Sequence, residues 1–287
     1  MGPLMNLFAI ALANAGTLAQ ALEELLASVS ADEAIRLSKF SERIQRDGRI
    51  SINMRQSVLI SFLVFSEHQN IYEWADEKAR ESGVLRDTIL REKLGRYYWR
   101  RTTFDSAFEE GERFRYGTLN IGSSGALSYG EFCVVLHHGV SARGSEVAYL
   151  RSDSLKTYIK RGPALDEEGV RRDAAPHSHR HCLAAVKHAN ELGSYSEDTW
   201  PLLVCSASEF IEAVFGGSFT AREVEVVRMP RREHDFRFHY AFEDFRGRLS
   251  KADKILCADF ATARRLIRNQ GISLEVVSDV PVAGRRA

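Results

Sequence analysis

The sequence predicts an α+β protein in which a helical lobe over residues 1–98 precedes a strand-rich core over residues 99–287. Three observations lead there. Apolar residues recur at helical spacing through the first hundred positions with almost no proline. Short β-prone runs take over after about Tyr98 and are broken only by single helices. No strand–GxGxxG–helix unit and no GxxxxGK[ST] loop is present, so neither a Rossmann nor a P-loop phosphate cradle is available.

In the first part, Leu22, Leu25, Leu26 and Val29 form one apolar stripe, and Ser30-Ala31-Asp32-Glu33 reads as a capping box for the next helix. Val58, Leu59, Phe62, Leu63 and Phe65 continue the apolar faces, with breaks at Asp47-Gly48 and Ser82-Gly83. The apolar stretch Leu4 to Ala15 ends in a small-residue cluster like that of a cleaved leader. It has no basic residue before it and runs on at helical spacing, so it reads as an amphipathic helix. In the second part, strands are expected at Phe114–Ile121, Phe132–His137, Val147–Leu150, Leu202–Cys205, Phe210–Phe215, Val224–Met229 and Leu274–Val277. Gly216-Gly217 suggests a hairpin between two of them. Helices are expected at Arg180–Leu192 and Ala261–Arg268.

The 287 residues are 44% hydrophobic, enough for a real core, and 39 basic residues balance 39 acidic ones. That balance argues against a protein that holds nucleic acid by a basic field. No stretch approaches the roughly 18 apolar residues of a membrane span. Four scattered cysteines without a CxxC pair suit a fold with no disulfide staples.

Glu212 is the most informative residue. In an extended Phe210–Phe215, Ile211, Ala213 and Phe215 share one face, which leaves Glu212 with Phe210 and Val214 on the other. A carboxylate on an apolar face is paired, functional, or exposed on an edge strand. In Phe114–Ile121, Tyr116, Thr118 and Asn120 share a face, and Gly117 marks either a close ligand approach or tight packing. The loop Gly122-Ser123-Ser124-Gly125 is either a phosphate-holding turn or a plain hairpin turn. His177-Ser178-His179-Arg180-His181-Cys182 has ligand types for zinc but no structural-site spacing, and reads as a solvated loop. His137-His138, at a strand end, reads as structural. Cys133 and Cys205 sit in apolar strands and read as core thiols rather than nucleophiles. The basic run Arg228-Met229-Pro230-Arg231-Arg232 reads as a charged loop.

Several segments taken together resemble a known pattern. Tyr116-Gly117-Thr118-Leu119-Asn120 resembles the YGALN motif of a bacterial domain family. Ser128-Tyr129-Gly130-Glu131-Phe132-Cys133, Ser152-Asp153-Ser154, Phe210-Ile211-Glu212-Ala213-Val214-Phe215-Gly216 and Val224–Pro230 then come in the family's order. The likeness covers roughly residues 100–230. It is similar to the mono-ADP-ribosyltransferase fold, and most to the CteC-like bacterial effectors that modify a threonine of ubiquitin. The resemblance implies an N-terminal helical lobe followed by a split antiparallel β-sheet core, with NAD as co-substrate. It also implies a secreted effector, a monomer, acting on a host protein, with ubiquitin as the expected acceptor, in the host cytoplasm. Glu212 falls on the family's catalytic glutamate. The paired aspartate is either Asp153 or Asp105, and NAD contacts are expected from Arg115, Tyr116, Gly117, Asn120, Ser123, Tyr129 and Phe132. The common Ser-Thr-Ser motif is absent. Phe210 stands where arginine-modifying members carry Glu or Gln, which points to a hydroxyl acceptor. Phe215 and Gly216 stand where the family has VHG. Two other functions compete: an interaction module on a decayed transferase scaffold, and an NAD glycohydrolase.

Overall fold

The computed structural model describes residues 4–141, 146–159, 164–206, 209–245, 247 and 249–278. The helices are α1 (Leu7–Ala13), α2 (Ala15–Ser28), α3 (Ala31–Asp47), α4 (Gln56–Phe65), α5 (Ile71–Ser82), α6 (Arg86–Leu94) and α7 (Tyr98–Ser106), followed by α8 (His138–Ser141), α9 (Ser154–Thr157), α10 (Glu167–Asp173), α11 (Arg180–His188), α12 (Trp200–Val204), α13 (Arg231–Phe245) and α14 (Lys251–Asn269). The strands are β1 (Arg49–Met54), β2 (Arg115–Asn120), β3 (Phe132–Leu136), β4 (Val147–Leu150), β5 (Ala175–Pro176), β6 (Glu212–Phe215), β7 (Val224–Pro230) and β8 (Ser273–Val277). They join in one eight-stranded sheet of order β5-β4-β6-β2-β1-β3-β7-β8. Every pairing is antiparallel except β7 with β8.

Alternation along the strands sorts the core into two layers. Ile50, Ile52, Leu119, Val134, Ala213 and Phe215 point to the back, where α2, α3, α4, α11, α12 and α14 cover them. Ala148, Leu150 and Val214 point to the front, where α1, α7, α9 and α10 cover them. The centre of the front face is polar: Ser51, Thr118, Asn120 and Glu212 are all buried there.

Local signals explain the helix ends. Ser30 accepts from the Glu33 N–H, and the Glu33 carboxylate accepts from the Ser30 N–H, so the expected capping box closes. Gly48 comes directly after α3, and Gly83 ends α5 in the left-handed conformation. The Leu4–Ala15 stretch forms α1, whose Leu7 and Ala11 are buried, and Asn14 separates it from α2.

Five sequence expectations need correction; one is the His177–Cys182 run, which is not a solvated loop but a 3-10 turn leading into α11, with Arg180 and Cys182 buried. Residues 49–54 form a strand, not part of a helical run, and that strand lies between β2 and β3 at the middle of the sheet. The first 98 residues therefore supply a central strand as well as helices. Leu202–Cys205 belongs to helix α12 and its cap; Pro201 in its first turn is a helix-start signal that outweighs the apolar run. β6 and β7 are not a hairpin, because β6 pairs with β2 and β4 while β7 pairs with β3 and β8. The Arg228–Arg232 run ends β7 and begins α13 rather than forming a loop.

Candidate functional site

Glu212 opens β6, an interior strand held between β4 and β2, with Leu150 and Thr118 as its cross-strand partners. The edge-strand reading therefore falls. The residue is 4% exposed, and its Oε2 accepts from the Ser154 N–H at 2.8 Å. Burial pushes its carboxyl up to about 7, opposed by the Arg101 cation; Asp153 adds to the rise and the Ser154 hydrogen bond opposes it. A carboxyl balanced near neutrality by burial and by charges of both signs is uncommon outside functional sites.

The groups around it come from α7, β2 and the loop after β4. One turn apart on α7, Arg101 and Asp105 form an ion pair at 3.6 Å, with Asp105 almost fully buried. The Arg101 guanidinium also lies 3.6 Å from the centre of the Tyr116 ring. Tyr72 donates to Asp105 Oδ2 at 2.7 Å, and Tyr116 donates to Asp105 Oδ1. Burial raises the Asp105 carboxyl, and Arg101 and the two phenols hold it down. Asp153 caps α9, accepting from the Leu155 and Lys156 N–H groups. Its other oxygen accepts from the Tyr129 hydroxyl at 3.0 Å and lies 3.2 Å from Lys156 Nζ. Two buried polar atoms here, Arg101 Nη1 and Ser154 Oγ, make no hydrogen bond. The cluster thus holds one carboxyl that titrates near neutrality, a buried cation in Arg101 and an exposed one in Lys156, two further carboxyls and three phenol hydroxyls.

The expected site residues divide. Glu212, Asp105, Asp153, Tyr116 and Tyr129 do come together, and Tyr129, half exposed, forms the rim with its ring edge-on to Phe210. Both candidate aspartates are present in different settings. Asp153 stands one residue before the N–H that holds Glu212, whereas Asp105 is tied up by two tyrosines and Arg101.

The remaining five are taken by the fold. Arg115 is buried in a two-oxygen contact with Glu73 at 2.8 Å and also donates to the His68 and Arg113 carbonyls. Gly117 serves packing: a Cβ there would lie 2.6 Å from the Ser51 carbonyl oxygen. Asn120 closes an Asx turn, its Oδ1 accepting from the Gly122 and Ser123 N–H groups at 2.8 and 2.9 Å. Its amide nitrogen is bonded to Ser51, Ser123 and Cys133. Ser123 is buried and its hydroxyl accepts from the Gly125 N–H, so this loop is a packed turn. Phe132 points to the back core against Phe260.

Arg101, Tyr72 and Ser154 are functional candidates that the sequence reading missed. An Arg at i and an Asp at i+4 in Arg101-Thr102-Thr103-Phe104-Asp105 was the available signal for the first. Tyr72 and Ser154 join only through tertiary packing.

Outside this cluster, His177 bonds Tyr149, His179 bonds Ser178, and burial pushes His177 down to about 3. Among the described residues, no three His, Cys, Asp or Glu side chains are grouped to hold a metal ion. Cys205 is buried, its thiol donating to Thr118 Oγ1, and burial raises it to about 12, which makes it inert. A cleft of about 530 Å³ lined by Phe8, Glu146 and Gly216 lies at the far end of β6 and shares no residue with the Glu212 cluster. Among the described residues, no helix is long and apolar enough to cross a membrane. No family model, curated protein or solved structure matches the chain.

Proposed function

We propose that the chain is an NAD-dependent mono-ADP-ribosyltransferase that modifies a hydroxyl side chain, a threonine, of a host protein, with ubiquitin as the first acceptor to test. On this reading it is a secreted bacterial effector working as a monomer in the host cytoplasm. The observation that carries it is Glu212, a buried mid-sheet carboxyl raised to about 7 and flanked by Arg101 and Asp153.

Cleaving the nicotinamide–ribose bond develops positive charge on the ribose, as glycoside cleavage does. An ionised Glu212 stabilises that charge more in the transition state than in the ground state. Its surroundings suit that role, since a carboxylate short of solvent and of full hydrogen bonding interacts more strongly with a developing cation. Asp153 is the aspartate placed to take the acceptor's proton: it lies beside Glu212 in the chain path and bonds the half-exposed Tyr129. Asp105 instead holds Tyr116 and Arg101 in place. Arg115 and Ser123 do not fit the diphosphate, being engaged elsewhere; Arg101 is ion-paired with Asp105 but its Nη1 makes no hydrogen bond, which makes it the candidate cation beside Glu212.

Nicotinamide release from NAD, measured for the wild type and for Glu212→Ala, tests this reading. The proposal requires release by the first, rising as pH passes through about 7, and loss of at least about a hundredfold in the second. Equal turnover overturns it. A scaffold without activity is the second reading. It is favoured by the near-complete burial of Glu212 and by the packing roles of Arg115, Asn120 and Phe132. A glycohydrolase would release free ADP-ribose and leave no modified protein.

A further inference from the structure

The β4–β6 ladder ends at the pair Leu150–Glu212, and beyond it the two chains part. The strands leave two main-chain carbonyls at that fork, those of Arg151 and Phe210. A buried carbonyl left without a donor is costly, so something must satisfy each. One side chain serves both. Lys187, on α11 behind the sheet, sends its ammonium group to the Arg151 oxygen at 2.8 Å and the Phe210 oxygen at 2.9 Å. Its side chain is 8% exposed, and Glu209 stands 3.4 Å away at the surface.

Both arms of the fork lead to the carboxyl. From Arg151 the chain turns through Ser152 and Asp153 and presents the Ser154 N–H to Glu212. From Phe210 the chain reaches Glu212 in two residues. Lys187 therefore fixes both approaches to the carboxyl at one point, two residues from Glu212 and three from Ser154. An ammonium ion is well matched to such a fork, because it is a compact charge with three donors on a flexible stem and can bind two carbonyls at once.

We propose that Lys187 is a positioning residue for the Glu212 carboxylate, acting through the Arg151 and Phe210 carbonyls and the Ser154 N–H. The part concerning NAD turnover rests on the transferase reading above; the part concerning geometry does not.

The test reads the carboxyl first and the chemistry second. Glutamate side chains carrying a ¹³C carboxyl label are titrated by NMR, with the Glu212 resonance assigned by its absence in Glu212→Gln. In Lys187→Met the fork loosens, the Ser154 N–H no longer reaches the carboxylate, and the proton affinity of Glu212 rises about tenfold. Arg101 on α7, Tyr116 on β2, Tyr129 before β3 and Tyr158 after α9 also face the carboxyl, whereas Asp153 lies on the Arg151 arm and moves with it, so the same rise is read in an Asp153→Asn background, where that charge is absent. Glu209→Gln removes the surface partner but keeps both carbonyl bonds, and it leaves the Glu212 titration as in the wild type. Should Lys187→Met fail to fold, Lys187→Gln, with a shorter donor, gives a smaller rise in the same direction.

An unchanged Glu212 titration in the folded Lys187 variant overturns the proposal. So does an opposite change of similar size in Glu209→Gln, a fall in the proton affinity of Glu212, which would make the effect one of charge rather than position. With NAD, Lys187→Met lowers kcat about 10- to 100-fold and changes KM by less than about threefold, because misplacement acts on the reacting geometry. A shifted titration in proteins that never cleave NAD supports the positioning role and removes the transferase reading alone.

Discussion

Replacing Glu212 by Gln should stabilise the protein at alkaline pH, and the size of the gain comes from the site. The carboxyl is raised from an ordinary 4.5 to about 7 by burial. Between those values the folded protein keeps a proton that the unfolded chain releases, so stability is full below about 4.5 and is lost as pH rises toward 7. At about 1.4 kcal/mol for each pKa unit, the ionised wild type carries a penalty of about 3 kcal/mol by pH 8. Gln has nearly the shape of the protonated acid, and its carbonyl oxygen can accept from the Ser154 N–H as Glu212 does. Urea unfolding of both proteins from pH 5 to 8.5 measures the difference. It should grow from about 1 kcal/mol at pH 5 to about 3 kcal/mol at pH 8 in favour of Glu212→Gln. His68 and His177 stay neutral in the fold over this range and take up protons only in the unfolded chain; that contribution is common to both proteins and cancels. A difference that does not change with pH would refute the reasoning, because Glu212 would then titrate alike in the folded and unfolded chains.

Three other substitutions separate the cluster from its supports. Asp105→Asn weakens a buried ion pair and should cost about 3 kcal/mol in the same unfolding assay. Asn120→Ala leaves the Gly122 and Ser123 N–H groups without their acceptor and should cost about 2–3 kcal/mol, read as a lowered urea midpoint. Tyr129→Phe removes one hydroxyl at a half-exposed rim, so stability should change by less than about 1 kcal/mol while nicotinamide release falls. An equal loss of stability in all three would mean that the cluster is only a packing element.

The sequence is most readable where a local rule acts alone. The Ser30 capping box, the Gly48 and Gly83 helix ends, and strands β2, β3, β4, β7 and β8 come from spacing and turn chemistry. The face assignments of β2 and β6 agree with the structure, and they put Tyr116, Thr118 and Glu212 on one side of the sheet. Strand β1 is missed: Ile50, Ile52 and Met54 alternate with Ser51 and Asn53, but that period-two pattern is short and lies among helical neighbours. The order of the strands is not legible, since β6 bypasses β7 to pair with β2 and β4, and only tertiary packing decides that. The same limit applies to the site. Which basic residue meets Glu212 depends on how α7 lies over β2, so Arg101 and Arg115 look alike in sequence, yet Glu73 occupies only the second. Asn120 and Phe132 sit in suggestive motifs, but local turn chemistry claims the first and the back core the second.

Intact mass spectrometry of ubiquitin incubated with the protein and NAD tests the central claim most directly. The account predicts a mass gain of one ADP-ribose, lost when Glu212 is replaced by Ala. Consumption of NAD without modified ubiquitin would keep the chemistry and reject this acceptor, whereas NAD left intact by the wild-type protein would contradict the account.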